Sequence, residues 1–374
     1  MFADRARLRR LALKIAVLNQ VFTTPSIVRG IQCLENIYFA GSYGDVLCGM
    51  HGVSKVAVKR LCLPSSWKLS LRKQAIYRES LLWSIAIHDH VVPFLGISED
   101  PFDGALCMVS PWMDNGSVLQ RWVSRTSSTG SNTLAELRQL HQSVLGLAYL
   151  HEEGIVHGDL HAGNILIDEV GNARLADFGL SLLAEATHHE YGSIHGGGGS
   201  HWKAPELFTP EEFGLSSYRP TFMSDIFAFA CTCFEVYAGE PPLAECNQYQ
   251  IGFRVLKGER DPRPSVPGGE LMHESMWSLV QSCWGHDPSS RPSAASVAET
   301  MSRITGQIAS VEMPSPPPSP PHSRPPSLPP SHSPSRSPTP PPDAGNDEAT
   351  GESSSPYFTL VRFNLDCSPS TYMN

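Results

Sequence analysis

The chain of 374 residues has no apolar run near the length of about 20 residues that a membrane-spanning helix needs. Charged side chains make up only 17% of the sequence, and the formal net charge is −9. So few cations beside an excess of acids argue against a general nucleic-acid-binding surface. Nine cysteines are scattered without paired spacing. This pattern favours reduced thiols and a cytoplasmic location, with nuclear or membrane-surface association left open.

The first 30 residues are predicted to form a basic amphipathic extension. Its apolar face is formed by Leu8, Leu11, Ile15 and Leu18. Arginines crowd the other faces of the same helix. Three interpretations are open for this helix: docking on the folded domain, contact with a membrane surface, or a mitochondrial presequence.

The C-terminal segment 307–374 is rich in proline and serine. Proline removes backbone donors, and the segment offers few apolar side chains to bury, so we expect a disordered tail. The tail is either a plain spacer or a ligand for an SH3- or WW-type partner domain, which binds Pro-x-x-Pro stretches.

The middle of the chain contains the polar loop His157-Gly158-Asp159-Leu160-His161-Ala162-Gly163-Asn164, followed thirteen residues later by Asp177-Phe178-Gly179. These motifs supply two carboxylates and one amide oxygen. Phosphoryl transfer from ATP needs one carboxylate to accept a hydroxyl proton and two oxygen ligands to hold Mg²⁺ against the phosphates. We therefore assign Asp159 as the catalytic base, and Asn164 and Asp177 as the metal ligands.

An ATP site is expected upstream of this loop. Gly41 and Gly44 flank a turn whose backbone amides can approach phosphate oxygens, because glycine has no side chain to block them. Lys59 ends the alternating segment Val56-Ala57-Val58-Lys59, which is typical of a strand that turns its ammonium into a cleft. A buried ammonium needs an anion. The candidate is Glu79, in a predicted helix from Leu71 to Ile87.

These motifs, together with Ala204-Pro205-Glu206 and the Cys283-Trp284…Arg291-Pro292 segment, resemble those of a eukaryotic protein kinase. The closest resemblance is to the tyrosine-kinase-like group of serine/threonine kinases, of the type abundant in basidiomycete fungi. It implies an α+β, bilobal fold with a β-rich N-lobe and a helical C-lobe, a kinase domain over residues 31–306, ATP and Mg²⁺ as cofactors, and a protein substrate. Small-molecule phosphotransferases share the polar loop, but Glu206, Asp225 and Arg291 argue against that class.

The resemblance also implies roles in nucleotide binding. Lys59, paired with Glu79, would hold the α and β phosphates. Ser110 would be the gatekeeper behind the adenine, and a small gatekeeper predicts a pocket that extends behind the base. The carbonyl of Pro111 and the amide N–H of Met113 would meet the adenine edge. Apolar contacts to the base are expected from Val46, Ala57 and Leu166.

Structural roles follow from the same resemblance. Glu206 would pair with Arg291, and Asp225 would bind the backbone of the catalytic loop. His157, Phe178 and Gly179 are expected to frame the site.

Four positions depart from the family pattern. Phe39 replaces the first loop glycine, and Gly199 replaces a hydroxyl residue. Gly158 replaces an arginine that receives an activation-loop phosphate, which predicts activity independent of such a phosphate. His161 replaces a lysine that steadies the γ-phosphate, which predicts a slower or pH-sensitive enzyme.

All the phosphate-handling residues remain, namely Lys59, Asp159, Asn164 and Asp177. We therefore favour an active protein kinase that transfers phosphate to serine or threonine, with tyrosine left open. The alternative is an ATP-binding pseudokinase scaffold that recruits partners through its proline-rich tail. The sequence identifies neither the substrate nor the upstream regulator.

Overall fold

The computed structural model describes residues 15, 26–41, 44–61, 69–100, 106–125, 133–178, 199–265 and 271–312. The predictions for Gly179 and for the tail beyond residue 312 lie outside these residues, as does most of the N-terminal amphipathic segment. No helix in the described part is both long and apolar enough to cross a bilayer.

The N-terminal part of the described chain is an antiparallel sheet with the strand order β1-β2-β3-β5-β4. Its strands are β1 (Gln32–Gly41), β2 (Gly44–His51), β3 (Ser54–Leu61), β4 (Gly96–Ser98) and β5 (Cys107–Pro111). On β3, Val56 and Val58 pack in a small core with Ile31, Cys107 and Val109. Because side chains alternate along a strand, Lys59 points to the opposite face of the sheet.

Helix α1 (Leu69–Ile85) follows the third strand. It begins and ends two residues earlier than the predicted helix. After Ile85 the chain turns back toward the sheet, and the indole N–H of Trp83 donates to the Val92 carbonyl at 2.7 Å. This side chain–backbone bond joins α1 to the segment that leads into β4.

The rest of the described domain is mainly helical. Its elements are α2 (Val118–Arg125), α3 (Thr133–Glu152), β6 (Ile165–Ile167), β7 (Ala173–Leu175), α4 (Phe222–Ala238), α5 (Gln248–Leu256), α6 (Glu274–Cys283) and α7 (Ala294–Glu312). Helix α4 is buried almost throughout, begins with a capping box between Thr221 and Ser224, and ends at Gly239 with φ 82°. The predicted α+β architecture is confirmed.

The folded part extends beyond both predicted boundaries. Ser26 accepts a hydrogen bond from Ile97 N at 2.9 Å, and Val28 N donates to Ile97 O at 2.8 Å, so residues 26–30 join the sheet. At the other end, helix α7 continues through Gly306 to Glu312. One helical glycine costs only about 1 kcal/mol relative to alanine, which is too little to stop a helix that packs on α3.

Candidate active site

A cavity of about 380 Å³ lies beneath the sheet and next to the polar loop. Of the predicted site residues, it is lined by Val46, Ala57, Lys59, Ser110, Pro111, Met113, Asp159, His161, Asn164, Leu166 and Asp177. The cavity thus brings the predicted adenine, phosphate and metal-binding residues together. Gly41 and Gly44 pair with each other at the ends of β1 and β2, and Glu79 is buried on α1. Glu79 is not among the described residues that line the cavity.

The position of Lys59 corrects one prediction. Its Nζ atom is buried and lies 2.6 Å from Oδ1 of Asp177. Among the described residues, no Glu79 oxygen lies within salt-bridge distance of Lys59, and Glu79 Oε2 is buried without a hydrogen-bond partner. The predicted Lys59–Glu79 ion pair is therefore wrong for this structure, since Asp177 takes the place of Glu79.

Lys59 pairs with Asp177 rather than with Glu79 because the Glu79 carboxyl is more deeply buried. Loss of hydration raises the pKa of Glu79 to about 7, although Lys59 acts to lower it. The Asp177 side chain keeps 26% of its exposure and so retains part of the hydration of its charge. Burial by itself would lower the pKa of Lys59, but Asp177 and Glu79 together raise it above its ordinary value. The ammonium therefore stays charged and pairs with the more hydrated carboxylate.

The catalytic-loop aspartate is held by a neighbouring amide. Asn164 donates from Nδ2 to the carbonyl oxygen of Asp159 at 2.8 Å and to its Oδ2 at 3.0 Å. This orients the Asp159 carboxylate and leaves Oδ1 of Asn164 as an acceptor. Asp177, the other predicted ligand, has φ 58°, in the left-handed region. The structure thus offers an amide oxygen and a carboxylate in one cavity, the oxygen donors that Mg²⁺ prefers.

Helix α4 fixes the backbone of the polar loop through Asp225. Its carboxylate accepts hydrogen bonds from the backbone N–H groups of His157 and Gly158, both at 2.8 Å, as the sequence predicted. The same carboxylate lies 2.9 Å from Nε2 of His151. Gly158 has φ 82°, a conformation that side chains disfavour, so glycine suits the position at which the family has arginine.

His161 is coupled to Asp159. Nδ1 of His161 accepts from Gly163 N at 3.1 Å, so Nε2 carries the proton, and it lies 3.6 Å from Asp159 Oδ2. Burial would lower the pKa of His161, but the Asp159 carboxylate raises it above the ordinary 6.5. In this arrangement the imidazole is neutral and directs its Nε2–H toward the Asp159 carboxylate, and protonation of Nδ1 would break the hydrogen bond from Gly163 N.

A buried acid that the sequence analysis missed lies behind His161. Glu235, on α4, accepts hydrogen bonds at Oε2 from Ala162 N at 2.9 Å and from Trp202 Nε1 at 3.0 Å. The Trp202 ring lies 5.2 Å from the His161 ring. Glu235 therefore joins the polar loop to the segment that follows Gly199. Its isolation in an apolar helix was the signal available in the sequence.

Aromatic rings connect the sheet to the polar loop. Trp83 of α1 lies 5.4 Å from Phe94 and 6.1 Å from Phe178, measured between ring centroids. Phe178 in turn lies 6.4 Å from the ring of His157. Trp83 also lines the cavity together with Val92 and the buried Ser110. The cavity therefore reaches helix α1 past the side chain of Ser110.

Other cavity residues were missed by the sequence analysis. They are Trp83, Val92, Trp112, Gly116, Ser117, Gln120, Gly163 and Ala176. Trp112, Gly163 and Ala176 are adjacent in the chain to predicted positions, whereas only folding places Trp83 and Val92 there.

Comparison with known proteins gives the family. The family model described as "Protein tyrosine and serine/threonine kinase" matches residues 34–301. The chain is 25% identical over 273 residues to the serine/threonine/tyrosine-protein kinase HT1 of Arabidopsis thaliana, which covers 72% of this chain and 65% of the relative. It is 27% identical over 270 residues to the serine/threonine-protein kinase STY46 of the same plant, over 72% and 43% of the two chains.

A third relative is the dual specificity protein kinase shkD of Dictyostelium discoideum, 28% identical over 266 residues, or 71% of this chain and 33% of the relative. The chain thus spans less than two thirds of the length of these curated relatives. The family match includes all the residues that line the cavity, most of the sheet and the helical part as far as residue 301, within the last helix. By this match and this architecture, the chain belongs to the family of protein tyrosine and serine/threonine kinases.

Proposed function

We propose that the chain is an active protein kinase that transfers the γ-phosphoryl group of ATP to serine or threonine hydroxyls of proteins, with tyrosine as an open third acceptor. The observation that carries this proposal is the cavity in which Asp159, Asn164, Lys59 and Asp177 meet. The relatives are named serine/threonine, serine/threonine/tyrosine or dual specificity kinases, and these names support the acceptor class.

ATP would bind with its base between Val46, Ala57 and Leu166, against the Pro111–Met113 segment. Lys59 would contact the α and β phosphates as a buried cation, and the paired strand ends at Gly41 and Gly44 would cover them.

The remaining polar residues handle the acceptor and the charge. Asp159, oriented by Asn164, would accept the proton of the attacking hydroxyl. Asn164 Oδ1 and the Asp177 carboxylate would hold Mg²⁺, which supplies positive charge against the phosphates when it is bound. His161 would direct its Nε2–H toward the Asp159 carboxylate. Phosphoryl transfer depends mainly on positioning and electrostatics, and the presence of these residues in one cavity supports the proposal.

The test is single-turnover phosphate transfer from Mg·ATP to a generic protein substrate and to the chain itself. Replacing Asp159→Asn should lower the rate by at least about a hundredfold, because the proton acceptor is lost. Asp114→Asn is the matched control: its carboxylate is exposed, pairs with Lys55 and lies outside the cavity lining. Mapping the modified residues decides between serine, threonine and tyrosine.

Equal ATP binding by the wild type and by Asp159→Asn, with no transfer by either, would overturn the proposal in favour of a scaffold.

For the tail, we propose that its Pro-x-x-Pro stretches bind an SH3 or WW domain. Titration of the full chain against such domains, before and after Pro317→Ala and Pro320→Ala, tests that part separately. A cytoplasmic location belongs to the same proposal, since the described cysteines are free thiols and most are buried.

A further inference from the structure

Lys203 lies in a segment that passes directly beside the catalytic loop. A Cβ atom added to Gly199 would lie 3.9 Å from Oδ1 of Asp159, and the Trp202 ring packs on His161. An acceptor hydroxyl bound at Asp159 would therefore be bordered by this segment. Four residues of chain span at most about 14 Å, which places the Lys203 backbone within reach of the residues that flank the acceptor.

The ammonium of Lys203 is partly withdrawn from water. Nζ lies 4.7 Å from the centroid of the Phe208 ring, and the side chain is half-buried. Phe208 is itself held in place by α5, since a Cβ at Gly252 would approach its ring to 3.2 Å. Burial lowers the pKa of Lys203, and no neighbouring charge opposes that effect. In the part of the chain that the structure describes, no carboxylate oxygen lies within 4.0 Å of this ammonium.

Two buried cations of the domain, unlike Lys203, each have a carboxylate partner. Arg291 pairs with Glu206, and Lys59 pairs with Asp177. Withdrawing a cation from water is costly unless an anion compensates for the lost hydration. A cation–π contact only partly replaces that hydration. An anion brought by a bound protein would complete the environment of Lys203.

We propose that Lys203 is a specificity-determining residue that selects an anionic side chain, a carboxylate or a phosphate monoester, within four residues of the acceptor hydroxyl of the substrate. The inference rests on the proposed kinase function, because that function places the acceptor at Asp159. It names the chemical class of substrate that the family match leaves undetermined.

The experiment uses the full chain and a panel of short peptides with one serine in a neutral background. Aspartate, phosphoserine or the neutral isostere asparagine is placed at each position from four residues before the serine to four after it. At one register, kcat/KM for the aspartate peptide should exceed that for the asparagine peptide about tenfold, as expected for a charge-assisted hydrogen bond. A higher kcat/KM for the phosphoserine peptide than for the aspartate peptide would identify a phosphate as the preferred anion, a lower value would identify a carboxylate, and equal values would show that Lys203 accepts either anion.

The variants are compared through the aspartate-to-asparagine ratio. Lys203→Met should bring this ratio close to one, and Lys203→Arg should retain most of it. Lys257→Met is the matched control, because Lys257 also lies over an aromatic ring, 4.2 Å from the centroid of Phe253, but is exposed directly after the end of α5. Its ratio should equal that of the wild type. A ratio near one at every register, or a preference that survives in Lys203→Met, would overturn the inference.

Binding separates this inference from the proposed function. The same peptides with alanine in place of the acceptor serine are titrated by fluorescence anisotropy, which requires no phosphate transfer. An aspartate preference that depends on Lys203 in binding, with no transfer to any serine peptide, would retain the anion site and overturn the kinase activity. Transfer without any such preference would retain the activity and overturn the anion site.

Discussion

Arg291 and Glu206 meet in a fork: Nη1 and Nη2 of the guanidinium each lie 2.7 Å from one oxygen of the carboxylate, and both side chains are fully buried. Arg291 also donates to the carbonyls of Met223 and Gly285, both at 2.8 Å. One residue pair therefore fastens the segment after Lys203 to the start of α4 and to the turn before α7.

We expect Glu206→Gln to lower the free energy of unfolding by about 3–5 kcal/mol, because it leaves the buried guanidinium without its anion. Urea denaturation checks this value. The double change Glu206→Leu with Arg291→Met should cost less than the sum of the two single changes, since no charge then remains buried alone. Glu245→Gln, an exposed partner of Arg254, is the control and should change stability little. A similarly small effect of Glu206→Gln would contradict the prediction.

The raised pKa of Glu79 predicts a pH dependence of stability. The carboxyl ionises near 4.5 in the unfolded chain and near 7 in the folded one. Between these values the folded state holds more protons than the unfolded state, so stability falls as the pH rises. From pH 5 to pH 8, wild type should lose up to about 3 kcal/mol more than Glu79→Gln does. Parallel stability curves for the two proteins would show that the group is not perturbed.

Glu235 supports both sides of the active site through one oxygen atom, Oε2. Replacing it by alanine leaves the Ala162 N–H and the Trp202 indole without their acceptor, which should cost about 2–3 kcal/mol in unfolding free energy and lower kcat. Glu235→Gln keeps one acceptor oxygen of the same shape and should retain most of both quantities. Thermal unfolding and steady-state kinetics on the two variants provide the comparison. Equal losses in both would show that charge, rather than hydrogen bonding, matters.

The small side chain of Ser110 predicts tolerance of enlarged adenine derivatives. The cavity continues past Ser110 to Trp83 and Val92, so wild type should bind an ATP analogue that carries a benzyl group on the exocyclic amine. Ser110→Phe should weaken binding of that analogue at least tenfold while ATP itself still binds, because the phenyl ring would fill the space behind the base. Calorimetric titration of both nucleotides measures the difference in affinity between the wild type and the variant. Ser110→Thr tests a smaller increase in side-chain volume.

Most of the candidate site could be predicted from short sequence motifs. Asp159 and Asn164 are five residues apart in one loop, so short-range order alone indicated that they act together. The contact of Asp225 with that loop spans 67 and 68 residues and was implied only by the family resemblance. The fork between Glu206 and Arg291 spans 85 residues, and it was accessible because the family register specifies both ends. The α+β architecture followed from the same register.

The features that the sequence did not predict depend on how groups distant in the chain pack and compete for the same partner. Spacing places Glu79 opposite Lys59, but it does not reveal that burial weakens this carboxyl as an anion while Asp177 stays better hydrated. Trp83 and Val92 reach the cavity only because α1 turns its indole toward the strand segment. The helix end at Glu312 depended on packing against α3, which outweighs the propensity of a single glycine.

Trp83 has a further consequence. Its indole lines the cavity, bonds to Val92 and touches the ring of Phe178, so its emission spectrum depends on whatever occupies that space and on where Phe178 lies. The chain has seven tryptophans, and the difference between wild type and Trp83→Phe isolates this one. The protein therefore carries its own optical reporter of nucleotide entry, which can be read without attaching a label.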